Sequence, residues 1–451
     1  MAVKLTNTSQ GNVKYLAPAY SDIVIEAEDI PAVALNSYNV KYVVKVYIDN
    51  AIIILKAPLD SNNKALFRIS SVLQDYTQTD KRGYDLNGVY SRHQGNQMLN
   101  SNHSVHTIDE YCRNRRNLNQ VAMLGGYEYS LTPNSEIIQE FSIGFTNLLF
   151  LNAVAQHKDG YSSQDFSDYL LNSNMKKFLS VFSAEQNIQL GQYHTVGFLN
   201  GEFYEDSRIT GIQVRTYDAD DVIINTELVL NVVTNGGADF INPLIGDNDK
   251  GLLYFGCGTQ NLVNSGVDMS NVSYYVVTAV YAGGAVSQGY RFNIVGADCK
   301  GYETIRLAFL NSLGAWDYYN FTKKSTRSTQ INKSVMKQNY GETPAYSTTF
   351  IGDILGASYY NQGTYDGGTK VFNVNATETI EANTDFVNEE EAAILEELFL
   401  SPDVYMQTGD IFEPVVINET EYVKQTSAND MLKQYIITIE KGHNKRVQRL
   451  W

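Results

Sequence analysis

Cysteine is scarce in this sequence, and its positions exclude two kinds of scaffold. Only Cys112, Cys257 and Cys299 occur among the 451 residues. No pair has the CxxC spacing of a zinc or redox motif, and three thiols cannot build a disulfide-rich fold. We therefore predict buried free thiols. The Gly-Cys-Gly sequence around Cys257 should form a turn, and no neighbouring base activates its thiol.

Long apolar runs are missing as well. The longest, such as residues 51–55, are far too short to cross a bilayer. The first twelve residues, MAVKLTNTSQGN, lack the apolar core and the cleavage site of a signal peptide. We expect no membrane span, and synthesis in the cytoplasm of a cell.

Basic residues are outnumbered by acidic ones. The chain has 34 Lys and Arg against 50 Asp and Glu, which gives a net charge of −16 and a pI near 4.8. A surface of this sign repels phosphate, so it excludes nucleic-acid binding by the bulk of the molecule. Any contact with an anion would have to use a local patch.

Tyrosine and other strand-forming residues are abundant. There are 32 tyrosines, and 43% of the residues are hydrophobic, which is enough for well-packed cores. Tyr, Val, Ile and Thr fit pleated surfaces, so we predict a mainly β fold, with tandem β-sandwich domains, a few short helices and an α+β C-terminal region. Tyrosine is also common at wet protein interfaces, although strand content alone explains its frequency equally well.

Turn signals and hydrophobic patterns divide the chain into three predicted domains. Residues 1–130 should form an N-terminal β-sandwich with a long polar insertion at about 77–118. Residues 131–290 should form a second β-rich domain with short helices. Residues 291–451 should form an α+β domain with an aromatic hairpin and a basic C-terminal arm. No low-complexity linker separates the three, so we expect them to be closely apposed.

Several elements can be placed within these domains. Residues 44–48 alternate, Asp49-Asn50 supplies a turn and residues 51–55 form a second apolar strand, which predicts a hairpin. Residues 65–76 fit either a short helix or a strand that runs into one helical turn. Residues 165–181 have an amphipathic pattern that predicts one or two short helices. The clearest helix follows Asn388 as N-cap and ends before Pro402.

The residues with a possible chemical role form no convincing active site. His103 and His106 have HxxH spacing near Cys112, but surface or interface histidines are a better interpretation than a metal site. The acidic clusters and the DNDK sequence at 247–250 suit solvated loops better than a glycosidase pair or a calcium site. These clusters are Asp218 with Asp220 and Asp221, and Glu202 with Glu205 and Asp206. The sequence thus predicts no catalytic residue, no metal and no cofactor, and hence no enzyme.

The most distinctive segment is residues 302–327, YETIRLAFLNSLGAWDYYNFTKKSTR. Its alternation predicts a hairpin. Two interpretations are open for its aromatic residues. In the first, the tip of the hairpin presents Trp316, Tyr318 and Tyr319 for binding. In the second, Trp316 is a core residue packed between sheets. This LNxxGxWDxYxF and TxKSxR pattern resembles virion structural proteins of tailed bacteriophages, in particular those of phages that infect marine bacteria and Bacteroidota. The N-terminal hairpin with residues 67–76, and the C-terminal segments 370–405 and 428–441, are similar to the same group, so the resemblance covers about half of the chain.

The resemblance implies a tail-associated protein of a virion, made in the host cytoplasm. It would be an adaptor, hub or ring subunit that links the tail to fibres or to the tail tip. Its partners would be copies of itself in a ring and other tail proteins such as fibre, tube or hub. The candidate interaction residues are aromatic or basic: Trp316, Tyr318, Tyr319, Arg113, Arg115, Arg116, Arg446, Arg449 and Trp451. The last three belong to a cationic arm that either docks on a neighbouring subunit or frays.

Two other functions compete with this one. The chain could be a receptor-binding module that grips a surface glycan with loops and tyrosines, although it shows no lectin spacing. An enzyme that degrades a cell-wall polymer is the third candidate and would require a pair of carboxylates in a deep cleft.

Overall fold

The computed structural model is mainly β, as predicted, with 25 strands and four helices in the part of the chain that it describes. The described residues are 4–7, 16–48, 51–77, 118–142, 148–154, 166–171, 175–199, 209, 211–230, 252–264, 266–281, 284–296, 301–337, 367–418 and 434–446.

The first β-sandwich consists of two sheets. Its elements are β1 (Lys4–Asn7), β2 (Leu16–Tyr20), β3 (Val24–Glu28), α1 (Ala32–Leu35), β4 (Tyr38–Ile48), β5 (Ala51–Pro58), β6 (Ala65–Arg68), α2 (Ser70–Asp75), β7 (Leu118–Ser130), β8 (Ile138–Ser142) and β9 (Leu148–Val154). The sheet β1-β3-β6 faces the sheet β2-β9-β7-β4-β5, in which β8 also pairs with β7. Buried aliphatic and aromatic side chains fill the space between the sheets: Ile25, Phe67, Val44, Val46 and Met123.

Two predictions for this region are confirmed. The hairpin expected at residues 41–55 is β4 and β5, with Val44 opposite Leu55. Of the two alternatives for residues 65–76, the strand that runs into a helical turn is correct, because α2 follows β6 after a single residue. The larger sheet continues beyond residue 130 into β8 and β9, and the predicted domain bounds stay a prediction.

The second block is also a sandwich. Its elements are β10 (Glu185–Ile188), β11 (Thr195–Leu199), β12 (Gly211–Tyr217), β13 (Ile223–Leu230), β14 (Leu252–Gly256), α3 (Thr259–Asn264), β15 (Tyr274–Tyr281), β16 (Gly284–Ala285) and β17 (Tyr290–Ile294). The sheet β10-β17-β15-β12-β13, with β16 beside β15, packs against the pair β11-β14. The core between them contains Phe198, Phe255, Val214, Val277 and Phe292.

The short helices predicted at residues 165–181 are wrong for the described part of that segment. Residues 166–171 and 175–181 form turns and irregular backbone instead. Phe166 and Leu179 pack into one core, whereas Leu171 and Phe178 pack into another. The apolar side chains therefore diverge, which the single apolar face of one amphipathic helix cannot do. The Leu179 amide donates to the Gly197 carbonyl at 2.8 Å and holds the segment beside β11.

The third block combines one large sheet with one helix. Its elements are β18 (Ile305–Leu310), β19 (Trp316–Phe321), β20 (Ser325–Lys337), β21 (Thr369–Asn383), α4 (Glu389–Leu400), β22 (Val404–Thr408), β23 (Ile411–Ile417), β24 (Ile436–Lys441) and β25 (Lys445–Arg446). The sheet order is β19-β18-β22-β23-β24-β21-β20, and β25 pairs with β21. The predicted helix is confirmed as α4. Asn388 and Glu391 form a capping box at its start, and Ile394, Leu395 and Leu398 are buried against the sheet.

A fourth core joins the three blocks. It contains Leu16 and Leu151 from the first block, Leu199 and Tyr254 from the second, and Trp316 from the third. Each of these side chains is at most 2% exposed. The blocks therefore share interior surface, which agrees with the absence of a linker signal in the sequence. None of the helices in the described ranges is long and apolar enough to span a bilayer.

Candidate functional site

The hairpin β18–β19 lies at the junction of the blocks. All six residues of β18 are buried, because the strand has a core on each face. Leu307 and Phe309 face the core beneath α4, whereas Ala308 and Leu310 face the core shared by the three blocks. Alternate residues of the strand therefore pack into two different cores, which explains why nearly all of its residues are apolar.

The predicted interaction role of Trp316 and Tyr318 needs correction. Their side chains are 1% and 3% exposed, respectively, so they cannot contact a partner while the chain keeps this fold. The alternative, a core tryptophan between sheets, is the one that the structure bears out. Trp316 meets Tyr405 edge to face, with ring centroids 5.7 Å apart. Tyr319 is half-buried and lines a cleft described below.

The turn of this hairpin explains the polar residues of the LNSLGAWD sequence. The Asn311 Oδ1 atom accepts from the amides of Leu313 and Ala315 at 3.1 and 3.0 Å, and its Nδ2 donates to the Leu179 carbonyl at 2.9 Å. Gly314 has φ of +81°, and a Cβ there would lie 2.7 Å from the Asn152 carbonyl oxygen. The motif is thus a buried corner between the first and third blocks, with glycine required at its tightest point.

Asp317 is a fully buried carboxylate that binds the second block to the third. It accepts hydrogen bonds from Ser180 Oγ at 2.6 Å, from the Val181 amide at 2.9 Å and from Asn311 Nδ2 at 2.7 Å. Burial raises the pKa of Asp317 to about 6, even though these three donors favour the charged form. Desolvation therefore has the larger effect, and the group changes charge in mildly acidic solution.

Arg306 forms a second buried link, from β18 to the turn before β11. Its Nε and Nη2 atoms donate to the Tyr193 carbonyl at 3.1 and 2.8 Å, and its Nη1 donates to Asn320 Oδ1 at 2.8 Å. The guanidinium carbon lies 4.8 Å from the centroid of the Tyr318 ring. Burial lowers the pKa of Arg306 to about 10, so the group stays cationic at neutral pH.

The protonation state of His194 follows from its contact with Arg306. The Arg306 Nη2 atom lies 3.2 Å from Nδ1 of His194. A guanidinium has only donors, so Nδ1 must accept and the imidazole is neutral with its proton on Nε2. The ring centroids of His194 and Tyr318 lie 4.4 Å apart. Burial also raises the pKa of the nearby Cys257 thiol. The predicted buried thiol in a turn is confirmed for Cys257, which is 0% exposed.

Sequence reasoning did not identify Arg306, Asp317 and His194 as buried polar residues at the junction of the blocks. Two signals were available. Arg306 is the one charge within the otherwise apolar run IRLAFL, and Asp317 directly follows a tryptophan for which a core position was one of the two interpretations. A charge within an apolar strand can indicate a buried polar link, because an unpaired buried charge would be too costly.

An open cleft of about 1090 Å³ lies between the second and third blocks. Tyr169, Phe182 and Tyr319 contribute aromatic surface to it, and amides such as Gln186 and Asn187 contribute hydrogen-bonding groups. Four carboxylates also line it, and each has a local partner. Glu397 accepts from Ser312, Asp385 pairs with Lys323, Glu391 accepts from the Asn388 amide, and Glu185 accepts from Asn293.

β20 and the outer part of β21 form an exposed ribbon, which is two-stranded within the described sheet where residues 333–337 pair with residues 369–374. Twelve of the 13 residues of β20 are exposed, and its pairing with β21 extends from Ser325 to Lys337. Ile331, Val335 and Met336 are 55%, 60% and 37% exposed on this strand. Within the described sheet, β20 is an edge strand with β21 on one side. A long exposed edge strand of this kind can pair with another chain.

The first residues of the predicted cationic arm pair with a strand of the same chain. β25 pairs with β21, with Arg446 opposite Asn375, and Lys445 lies 3.0 Å from Glu378. Arg449 and Trp451 lie outside the described residues, so docking of the arm on a neighbour stays a prediction. Arg113, Arg115 and Arg116 lie outside the described residues too, as do His103, His106, Cys112 and the DNDK sequence.

The acidic cluster near residue 220 is a turn, as expected. Asp218 accepts from the amides of Asp220 and Val222 at 2.9 Å each, and Asp221 accepts from the Tyr274 hydroxyl at 2.8 Å. Across the described ranges, no group of three or more His, Cys, Asp or Glu side chains is arranged to hold a metal ion.

Comparisons with known proteins give little further information. No protein-family model and no curated protein matches the sequence. Among solved structures, the chain is similar to invasin, described as a bacterial integrin-binding protein, at 11% sequence identity and a TM-score of 0.20. That match covers 84% of this chain and 57% of the length of the invasin chain. At so low a TM-score the likeness supports no conclusion about function, which must be inferred from the surfaces described above.

Proposed function

We propose that this chain is a structural subunit of a bacteriophage tail: an adaptor, hub or ring component that works through protein contacts. The observation that carries the proposal is the exposed β20–β21 ribbon. Within the described sheet its edge strand, β20, is exposed at 12 of its 13 residues and presents Ile331, Val335 and Met336 to solvent. The outer part of the ribbon, residues 333–337 with 369–374, pairs with no third strand among the described residues. A two-stranded segment is only marginally stable in water, so a partner that covers it is the best explanation.

The interior of the chain supports the same proposal. A subunit that transmits force along an assembly needs blocks that keep their relative positions. The shared core around Trp316 and the two buried polar links at Arg306 and Asp317 provide such a connection. Polar links of this type specify one arrangement of the blocks, because any slippage would leave a buried charge without its partners.

The location of the chain in a virion tests the proposal. Virions from the phage that carries this gene would be purified, and quantitative mass spectrometry would give the copy number per particle. We expect a fixed copy number that matches a rotational symmetry of the tail. Immunogold labelling should place the chain at the tail. A chain absent from purified virions would refute the proposal.

The cleft between the blocks favours a second candidate, a module that binds glycans. Aromatic rings beside amides and carboxylates, as at Tyr169, Tyr319 and Gln186, suit the apolar faces and hydroxyls of sugars. Binding on a glycan array that is lost in Tyr319→Ala would support this candidate.

An enzyme that degrades a cell-wall polymer is the third candidate, and release of reducing sugar from purified cell walls would reveal it.

A further inference from the structure

A second exposed edge strand, β13, lies in a different sheet from β20. It is the last strand of β10-β17-β15-β12-β13, and residues 222–226 are all exposed. Ile223, Ile224 and Leu228 are 51%, 46% and 48% exposed. The partner strand β12 faces the core, whereas β13 presents apolar side chains to solvent. Because β13 and β20 belong to separate sheets, one copy of the chain can offer both edges at once.

The two edges carry opposite charge. Glu227 lies on β13, and Asp218, Asp220 and Asp221 lie in the turn that leads into it, with no basic residue between 216 and 230. The outer part of β20, residues 328–337, includes two lysines, Lys333 and Lys337, and no acid. The ribbon is thus a local cationic patch on a molecule whose net charge is −16. An acidic copy of the same chain complements it.

The charges also decide which pairings are possible. Lysines on an edge strand prevent it from pairing with an identical edge, because like charges would be brought together. The same argument excludes β13 against β13. An edge with lysines remains attracted to an edge with carboxylates, so among the combinations of these two edges the charges favour β20 with β13. Eight residues of β13 span about 26 Å, which the 13 residues of β20 exceed.

We infer that β20 of one copy adds to the sheet of the next copy beside β13, in a head-to-tail contact between different surfaces. This inference rests on the proposed function and names the surface by which the subunits meet. Backbone hydrogen bonds between the two edges would provide affinity, with Ile331 and Val335 covering the exposed apolar side chains of β13. A contact of this kind leaves a free edge at each end, so repetition produces a closed ring if the rotation permits closure.

Paired charge reversals test this contact. The first variant carries Lys333→Glu and Lys337→Glu, and the second carries Asp220→Lys and Glu227→Lys. Self-association would be measured by sedimentation velocity at low ionic strength. We expect each variant alone to associate roughly tenfold more weakly than the unmodified chain. A 1:1 mixture of the two should recover the association, because the acidic ribbon of one variant then meets the basic β13 edge of the other.

Matched controls use exposed charges elsewhere. Arg68→Glu on β6 and Glu396→Lys on α4 reverse one exposed charge each, the same change per position as in the test variants, and should leave association unchanged. Circular dichroism would check that every variant is folded. An unmodified chain that stays monomeric, or a mixture that fails to recover association, would overturn the inference. The proposed function would survive either result if the chain is present in virions at a symmetric copy number, since the subunits would then meet through another surface.

Discussion

At the scale of single residues, the buried polar groups carry more information than the aromatics that first attract attention. Trp316 and Tyr318 are core residues, and the neighbouring Arg306 and Asp317 hold the second block against the third. Alternation predicted which residues of β18 are buried. It could not predict that the opposite face of the strand is buried as well, because that depends on contacts with residues more than 100 positions away.

Asp317 should make stability depend on pH. Its folded pKa of about 6 lies above the usual value of 3.8 for an unfolded chain. The resulting stabilisation is fully present below pH 3.8 and is lost as the pH rises through 6. Relative to Asp317→Asn, the unmodified chain should gain about 2 kcal/mol of unfolding free energy between pH 7 and pH 4. Urea denaturation of both proteins across this range would measure it, and a constant difference would contradict the assignment.

Arg306 should be necessary for the junction. Arg306→Met leaves the Tyr193 carbonyl, Asn320 and His194 without their donor, so we expect unfolding free energy to fall by about 3 kcal/mol. The matched control is Arg215→Met on β12, where the side chain is exposed and the loss should stay below about 0.5 kcal/mol. Equal losses in the two variants would show that the buried guanidinium has no special role.

At the scale of elements, local signals were reliable where they did not depend on distant packing. The hairpin β4–β5 and the helix α4 follow from alternation, turn residues and an N-cap, which are encoded within a few positions. The prediction of helices at 165–181 was wrong. An irregular segment that crosses between two cores can show the same spacing of apolar residues as an amphipathic helix. Charge at the edges of β13 and β20 was readable in the sequence, but their position at sheet edges was not.

The capping box of α4 gives a prediction at this scale. Asn388→Ala removes the acceptor of the Glu391 amide, which lies 2.8 Å from the Asn388 side chain. We expect unfolding free energy to fall by about 1 kcal/mol. Asn388→Ser keeps an acceptor at the same position and should retain most of the stability. Thermal denaturation of the three proteins would decide, and a serine variant as unstable as the alanine variant would argue against the cap.

At the scale of the whole molecule, the shared core makes the three blocks interdependent. Leu16, Tyr254 and Trp316 come from different blocks and pack in one interior, so none of the blocks can unfold without exposing the others. Differential scanning calorimetry should therefore show one transition. In Trp316→Ala that single transition should move to lower temperature as a whole, with a loss of about 4 kcal/mol. Separate transitions for separate blocks would contradict this account.

The central claim is that this chain functions as a rigid subunit joined to identical neighbours in a phage tail. A cryo-electron microscopy map of purified virions tests it most directly. The account predicts a ring of copies at the tail in which β20 of each copy lies beside β13 of the next. A map that fully accounts for the tail without this chain would contradict the claim.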